Sequence, residues 1–241
     1  MTKTVGIIGG LGTEASCSFC LNVNHKVRRV RKIQPHLVMD NVPVSQTVLE
    51  ALAHGEPHGE SKQEALTEAL TLLENSVKRL NTLNVKLIVI PCNTVHVFID
   101  QLRRISTAPI LSIIEETAEE GKKKELKKIG LLASTTTVKA GLYEKEFKKH
   151  GIELVIPNEE EQNSLSESIV RAANSEHTAQ DKEKIHRIIE IFKEKGAEAV
   201  ILGCTDLFLL VSEKESVLPI INSTEVLENA TAEKIMASAE N

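Results

Sequence analysis

Short unbroken apolar runs alternate along this chain with longer stretches in which apolar residues recur every three or four positions. The runs at 5–8, 36–41, 86–90, 110–113, 129–133, 152–156, 199–202 and 219–221 read as strands. The periodic stretches at 14–31, 61–83, 142–150, 164–173, 180–195 and 223–239 read as helices. The second is the clearest, with Leu66, Leu70, Leu73, Val77 and Leu80 on one stripe. Thr13 or a neighbour is expected to cap the first helix, and Ser223 or Thr224 the last. The segment 50–60, with Gly55, Pro57 and Gly59, reads as a loop over an opening. Residues 134–137 read as a polar turn, and a polar loop is expected from Pro157. Continuous apolar strands separated by helices predict an α/β fold of parallel sheets covered by helices on both faces.

The pattern occurs twice. Lys3-Thr4-Val5-Gly6-Ile7-Ile8-Gly9-Gly10 resembles Lys127-Lys128-Ile129-Gly130-Leu131-Leu132-Ala133-Ser134. Later in each half a strand ends in a cysteine: Ile90-Pro91-Cys92-Asn93-Thr94 and Leu202-Gly203-Cys204-Thr205-Asp206. Gly9 and Cys92 lie 83 positions apart, Ala133 and Cys204 71. A duplicated α/β unit, its second copy starting near Glu115, explains this. Ligands bind at the carboxyl ends of strands in open parallel sheets, so two facing copies would place Cys92 and Cys204 on opposite walls of one cleft.

Composition removes several functions. Aromatics are 2% of the 241 residues, with no Trp, which leaves no base-stacking surface for nucleic acid. The net charge is −5, and the lysines at 122–124, 127 and 128 are interleaved with glutamates, which describes a solvated helix face. No apolar run reaches the ~18 residues of a membrane span. The amino terminus lacks a signal-peptide pattern, so a cytoplasmic location is expected, where cysteines are more often buried or catalytic than bridged.

Two thiols suit one reaction in particular. Inverting an α-carbon removes a proton from one face and returns one to the other. Two opposed groups do this without either travelling, one as thiolate base and the other as thiol acid. A helix start expected after each cysteine would favour the thiolate and offer N–H groups to a carboxylate. Asn93, Thr94, Thr135 and Thr205 are small polar groups suited to holding that carboxylate. No lysine sits in a Schiff-base motif, and neither a cofactor nor a metal is required.

Gly9-Gly10-Leu11-Gly12, Pro91-Cys92-Asn93-Thr94-Val95-His96 and Gly203-Cys204-Thr205-Asp206-Leu207 resemble the aspartate/glutamate racemase family in order and spacing over almost the whole chain. The resemblance implies a pyridoxal-phosphate-independent isomerase of two pseudo-symmetric α/β domains, with the active site in the cleft between them. The final helix would return to the first, giving 1–114 with 222–241 as one domain and 115–221 as the other. It implies Cys92 and Cys204 as the acid/base pair and substrate contacts from Leu11, Asn93, Thr94, Thr135, Thr205 and Asp206. A homodimer and a small amino-acid substrate follow from the same resemblance.

The chain departs from the pattern in places. Leu11 stands where Met or Ile is usual, Thr13 where Pro is, and Asp206 where Glu is frequent. Some aspartate racemases carry an Arg after the second strand. Here the segment 41–47 has no cation, and we place Asn41 and Gln46 among the substrate-binding residues, with Arg171 as the substitute cation. A hydantoin racemase or maleate-type isomerase of the same superfamily, and a silent amino-acid-binding protein, remain open alternatives. Cys17 and Cys20, three positions apart, read as helix packing; a redox pair is the other reading. His96 is expected either to tune Cys92 or to cap a helix, and His54 and His58 to be solvated loop residues. Gly9-Gly10-Leu11-Gly12 lacks the full dinucleotide-binding pattern.

Overall fold

A computed structural model describes residues 3–54 and 61–237. The first half runs β1 (Val5–Gly9), α1 (Thr13–Arg31), β2 (Leu37–Asn41), α2 (Gln46–His54), α3 (Ser61–Thr82), β3 (Leu87–Val89), α4 (Ile99–Ile105), β4 (Ile110–Leu111) and α5 (Ile113–Lys123). The second runs β5 (Lys128–Ala133), α6 (Thr135–Lys139), α7 (Leu142–Lys149), β6 (Glu153–Val155), α8 (Glu159–Ala173), α9 (Ala179–Glu194), β7 (Ala199–Gly203), β8 (Ile220–Asn222) and α10 (Ser223–Met236). Among the described residues the strands form two parallel four-stranded sheets, ordered β2-β1-β3-β4 and β6-β5-β7-β8. The two orders are equivalent strand for strand, so the internal repeat is a repeat of topology.

Alternation along each central strand divides the core into layers. Val5 and Ile7 of β1, Ile129 and Leu131 of β5, and Ala199 and Ile201 of β7 share one central cluster with residues of α1, α5, α7 and α10. The odd-numbered faces of both sheets therefore bury the same helices. Ile8 and Ile88 point the other way, into a cluster with α2 and α3. Val200 and Leu202 do the same into a cluster with α8 and α9. Helix α10 packs on both α1 and α5.

Several local expectations change. The stretch 46–54, read partly as loop, is a helix that buries Val48, Ala51 and Leu52 at helical spacing; residues 55–60 of that expected loop lie outside the described residues. Residues 135–139 form a short helix rather than a turn, because the Ser134 hydroxyl accepts from the Thr137 N–H as its cap. Helix α8 begins at Glu159, not 164: the Asn158 side chain caps Glu161 N–H while the Glu161 carboxylate takes Asn158 N–H. Helix α10 is capped by Asn222 rather than Ser223 or Thr224, and α1 follows Gly12 with no side-chain cap.

Candidate functional site

Both sheets present the carboxyl ends of their two central strands to one cavity of about 520 Å³. In each sheet the order reverses at β1/β3 or β5/β7, and the loops leaving those strands open a crevice there. Gly10 and Leu11 follow β1, Cys92 to Thr94 follow β3, Ser134 follows β5, and Cys204 to Asp206 follow β7; all line the cavity. The two halves meet closely. A β-carbon built on Gly12 would lie 3.8 Å from Asp206 Oδ1 and 3.9 Å from Thr205 Oγ1. Thr94 and Ser134 hydroxyls are 2.9 Å apart, joining the loop after β3 to the loop after β5. Thr137 Oγ1 donates to Thr94 at 3.3 Å, completing a buried hydroxyl cluster.

Of the residues selected from sequence, Leu11, Asn41, Gln46, Cys92, Asn93, Thr94, Cys204, Thr205 and Asp206 line the cavity. Two do not. Thr135 opens α6 and its hydroxyl bonds Ser166 Oγ at 2.7 Å, against α8. Arg171 turns toward α9, where its Nε donates to Asp181 Oδ1 at 3.0 Å. Asp181 also accepts from the Ser168 hydroxyl and from Thr178. Arg171 thereby holds the Asp181 carboxyl well below the usual carboxylate range. Its neighbours Ile169, Val170 and Ala173 line the cavity in its place.

Each cysteine is followed by a short 3-10 turn, Thr94–Phe98 after Cys92 and Thr205–Leu209 after Cys204, in place of the expected α-helix starts. The backbone N–H groups of Val95 and Thr94 point at Cys92, but burial outweighs them and pushes that thiol up to about 11, with the Asp206 charge adding to the rise. Burial likewise lifts Cys204 well above its ordinary value, with Asp206 and then Cys92 opposing ionisation. Asp206 lies beside Cys204, Sγ to Oδ2 3.9 Å. Burial raises its own carboxyl to about 6, and Glu14 contributes. The free protein therefore holds two thiols and one carboxyl in a mutually dependent set. Alkylation of Cys92, followed by peptide mass spectrometry, is expected to be slow at neutral pH and to rise about tenfold per pH unit up to about pH 10, because only the thiolate reacts. A rate already at its plateau by pH 8 would contradict this.

Three contacts hold the first thiol in place, and none was evident from the motif. Asn93 is buried, its Oδ1 accepting from the Tyr143 hydroxyl at 2.6 Å and its Nδ2 donating to Ser223 Oγ at 3.1 Å. Ser223 in turn donates to the Leu202 carbonyl of β7 at 2.7 Å. The residue after one cysteine is thus tied to the strand that carries the other. Tyr143 is the chain's only tyrosine, which was the one available signal. His96 accounts for the third contact. Its Nδ1 lies 2.8 Å from the Cys92 carbonyl and its Nε2 accepts the Ile113 N–H at 3.2 Å, which fixes the Nδ1–H tautomer. His96 is a buried strut rather than a group that faces the thiol.

Burial lowers His96 from 6.5 to about 4. The unfolded chain therefore takes up this proton first as pH falls, so the neutral imidazole's contribution is complete above about pH 6.5 and is lost between there and about pH 4. Urea unfolding at pH 7 and 4.5 should show the parent losing about 2 to 3 kcal/mol more than His96→Gln. Equal losses would contradict a neutral buried imidazole.

The other cysteines are separate from the cavity. Cys20 packs against the central core, while Cys17 on the same helix is exposed. Among the described residues no helix is long and apolar enough to cross a membrane.

A family model described as Asp/Glu/Hydantoin racemase matches residues 8–231. The broad specificity amino-acid racemase RacX of Bacillus subtilis (strain 168) is 25% identical over 240 residues, covering 97% of this chain and 98% of RacX. The aspartate racemase of Picrophilus torridus superposes with a TM-score of 0.79 at 25% identity, covering 97% of this chain and 94% of that one. An aspartate racemase homologue from Pyrococcus horikoshii OT3 superposes with a TM-score of 0.75 at 28% identity, covering 97% and 99%.

Proposed function

The chain belongs to the Asp/Glu/Hydantoin racemase family, and we propose that it is an amino-acid racemase, an isomerase, that inverts Cα by proton transfer between Cys92 and Cys204. The observation that carries this reading is the pairing of the two thiols. Each follows the equivalent strand of its own sheet, both line one cavity, and each feels the charge of Asp206.

In one direction the Cys92 thiolate takes the α-proton, and the electron pair of the C–H bond moves into the α-carboxylate. The Cys204 S–H then delivers its proton to the other face, leaving Cys92 as thiol and Cys204 as thiolate. The opposite direction exchanges these roles. The α-carboxylate is held by N–H groups of the first turn of α1, which carries no side-chain cap, and by the second amide hydrogen of Asn93. Those donors stabilise the charge that grows on the carboxylate in the transition state. Asp206 faces the substrate ammonium. That cation offsets the carboxylate and draws a thiol downward from its high value, so the base forms when substrate is present.

Incubating the protein with single enantiomers of α-amino acids, with chiral chromatography as readout, tests the reading. The opposite enantiomer should accumulate toward a 1:1 ratio. Failure to invert any amino acid would remove the racemase assignment.

A further inference from the structure

The charges of the cavity carry information that the two thiols do not. Its charged lining residues are Glu14, Glu50 and Asp206, and among the described residues no lysine or arginine joins them. Two cations on segments beside the cavity are committed elsewhere. Arg171 is paired with Asp181, and Arg79 with Asp40, whose neighbour Asn41 lines the cavity. Two helices that pack on each other supply the apolar lining: α2 gives Leu49, Leu52 and Ala53, and α8 gives Ile169, Val170 and Ala173. Glu50 stands on the solvent-exposed side of α2, hydrogen-bonded to Gln46 at 3.1 Å.

We propose that this site takes amino acids whose side chain has an aliphatic or thioether stem and no carboxylate, and that it discriminates against aspartate and glutamate. This rests on the racemase reading above. The α-carboxylate of any substrate finds backbone N–H groups. A second, side-chain carboxylate would enter an apolar wall where no described residue is a cation, under repulsion from Glu50. An unpaired charge removed from water is strongly disfavoured, and like charges nearby add to the penalty. A neutral stem of the leucine or methionine kind removes apolar surface from water at the same wall. A lysine stem does so too, and carries its ammonium out toward Glu50.

The test compares kcat/KM for Cα–deuterium exchange in D₂O with leucine, methionine, lysine, aspartate and glutamate, in the parent protein and in Glu50→Lys. At least one of the first three should exceed both acids by roughly 100-fold or more in the parent. In Glu50→Lys the ratio of glutamate to leucine should rise at least about tenfold, since attraction replaces repulsion on an exposed residue that folding tolerates. Aspartate or glutamate exchanging as fast as the best non-acidic substrate would overturn the specificity while leaving the racemase reading intact. An unchanged ratio in Glu50→Lys would overturn its electrostatic basis. Absence of exchange with all five would overturn both the reading and the specificity built on it.

Discussion

Cys92→Ala and Cys204→Ala are each expected to lower kcat for inversion by roughly 10³-fold or more, with little change in folding. Removal of either thiol leaves one face of Cα with no proton donor or acceptor, so inversion stops whichever enantiomer is supplied. Exchange should survive in part. With one thiol left, a single enantiomer still meets a base on its own side and slowly trades its α-proton for solvent deuterium without inverting. The two variants should therefore retain exchange with opposite enantiomers, a pattern that general damage to the cavity does not produce. Groups acting as a unit are strongly non-additive, so the double variant should lose little beyond either single one. Near-parental inversion in either variant, with folding checked by circular dichroism, would contradict the assignment of both thiols.

Gly10→Ala is expected to destabilise the fold by about 3 kcal/mol or more, lowering Tm by about 6 to 12 °C for a chain of this size. Gly10 has φ +91°, and a β-carbon there would lie 2.3 Å from the Val42 carbonyl oxygen and 2.8 Å from its nitrogen. Both contacts are with backbone, so no rotamer change relieves them. The Val42 N–H is itself bonded to the Gly9 carbonyl at 3.0 Å, tying the turn after β1 to the end of β2. Relief of the clash must part these two strand ends, and Leu11 and Asn41 beside them line the cavity. Activity should fall with stability. A thermal melt unchanged within 2 °C or so would show that the turn yields without strain.

The parallel sheets and the position of Cys92 and Cys204 at one cavity were legible because they depend on local pattern. Continuous apolar runs mark strands buried on both faces, and the repeated strand-to-cysteine segment marks equivalent positions in two sheets of equivalent order. Helix α2 was obscured because Gly55, Pro57 and Gly59 follow it closely and drew the expected loop backward over residues 50–54. The early start of α8 was readable in principle, since Asn158 and Glu161 stand at capping-box spacing. Thr135 and Arg171 illustrate a different limit. Their positions near the site follow from sequence, but their directions depend on partners distant in the chain, Ser166 and Asp181. Tyr143 and Ser223 were invisible as supports of Asn93 for the same reason, since the contacts span 50 and 130 positions.

Isotope distribution early in the reaction tests the two-thiol mechanism most directly. A single enantiomer of the best substrate is inverted in D₂O and stopped at a few per cent conversion, and both enantiomers are isolated and weighed by mass spectrometry. Two opposed groups require the newly formed enantiomer to carry deuterium at Cα, from a solvent-equilibrated thiol, while the remaining starting enantiomer still carries protium. A product that retains the original protium would mean one group carries the same proton across both faces, and the paired roles of Cys92 and Cys204 would fall.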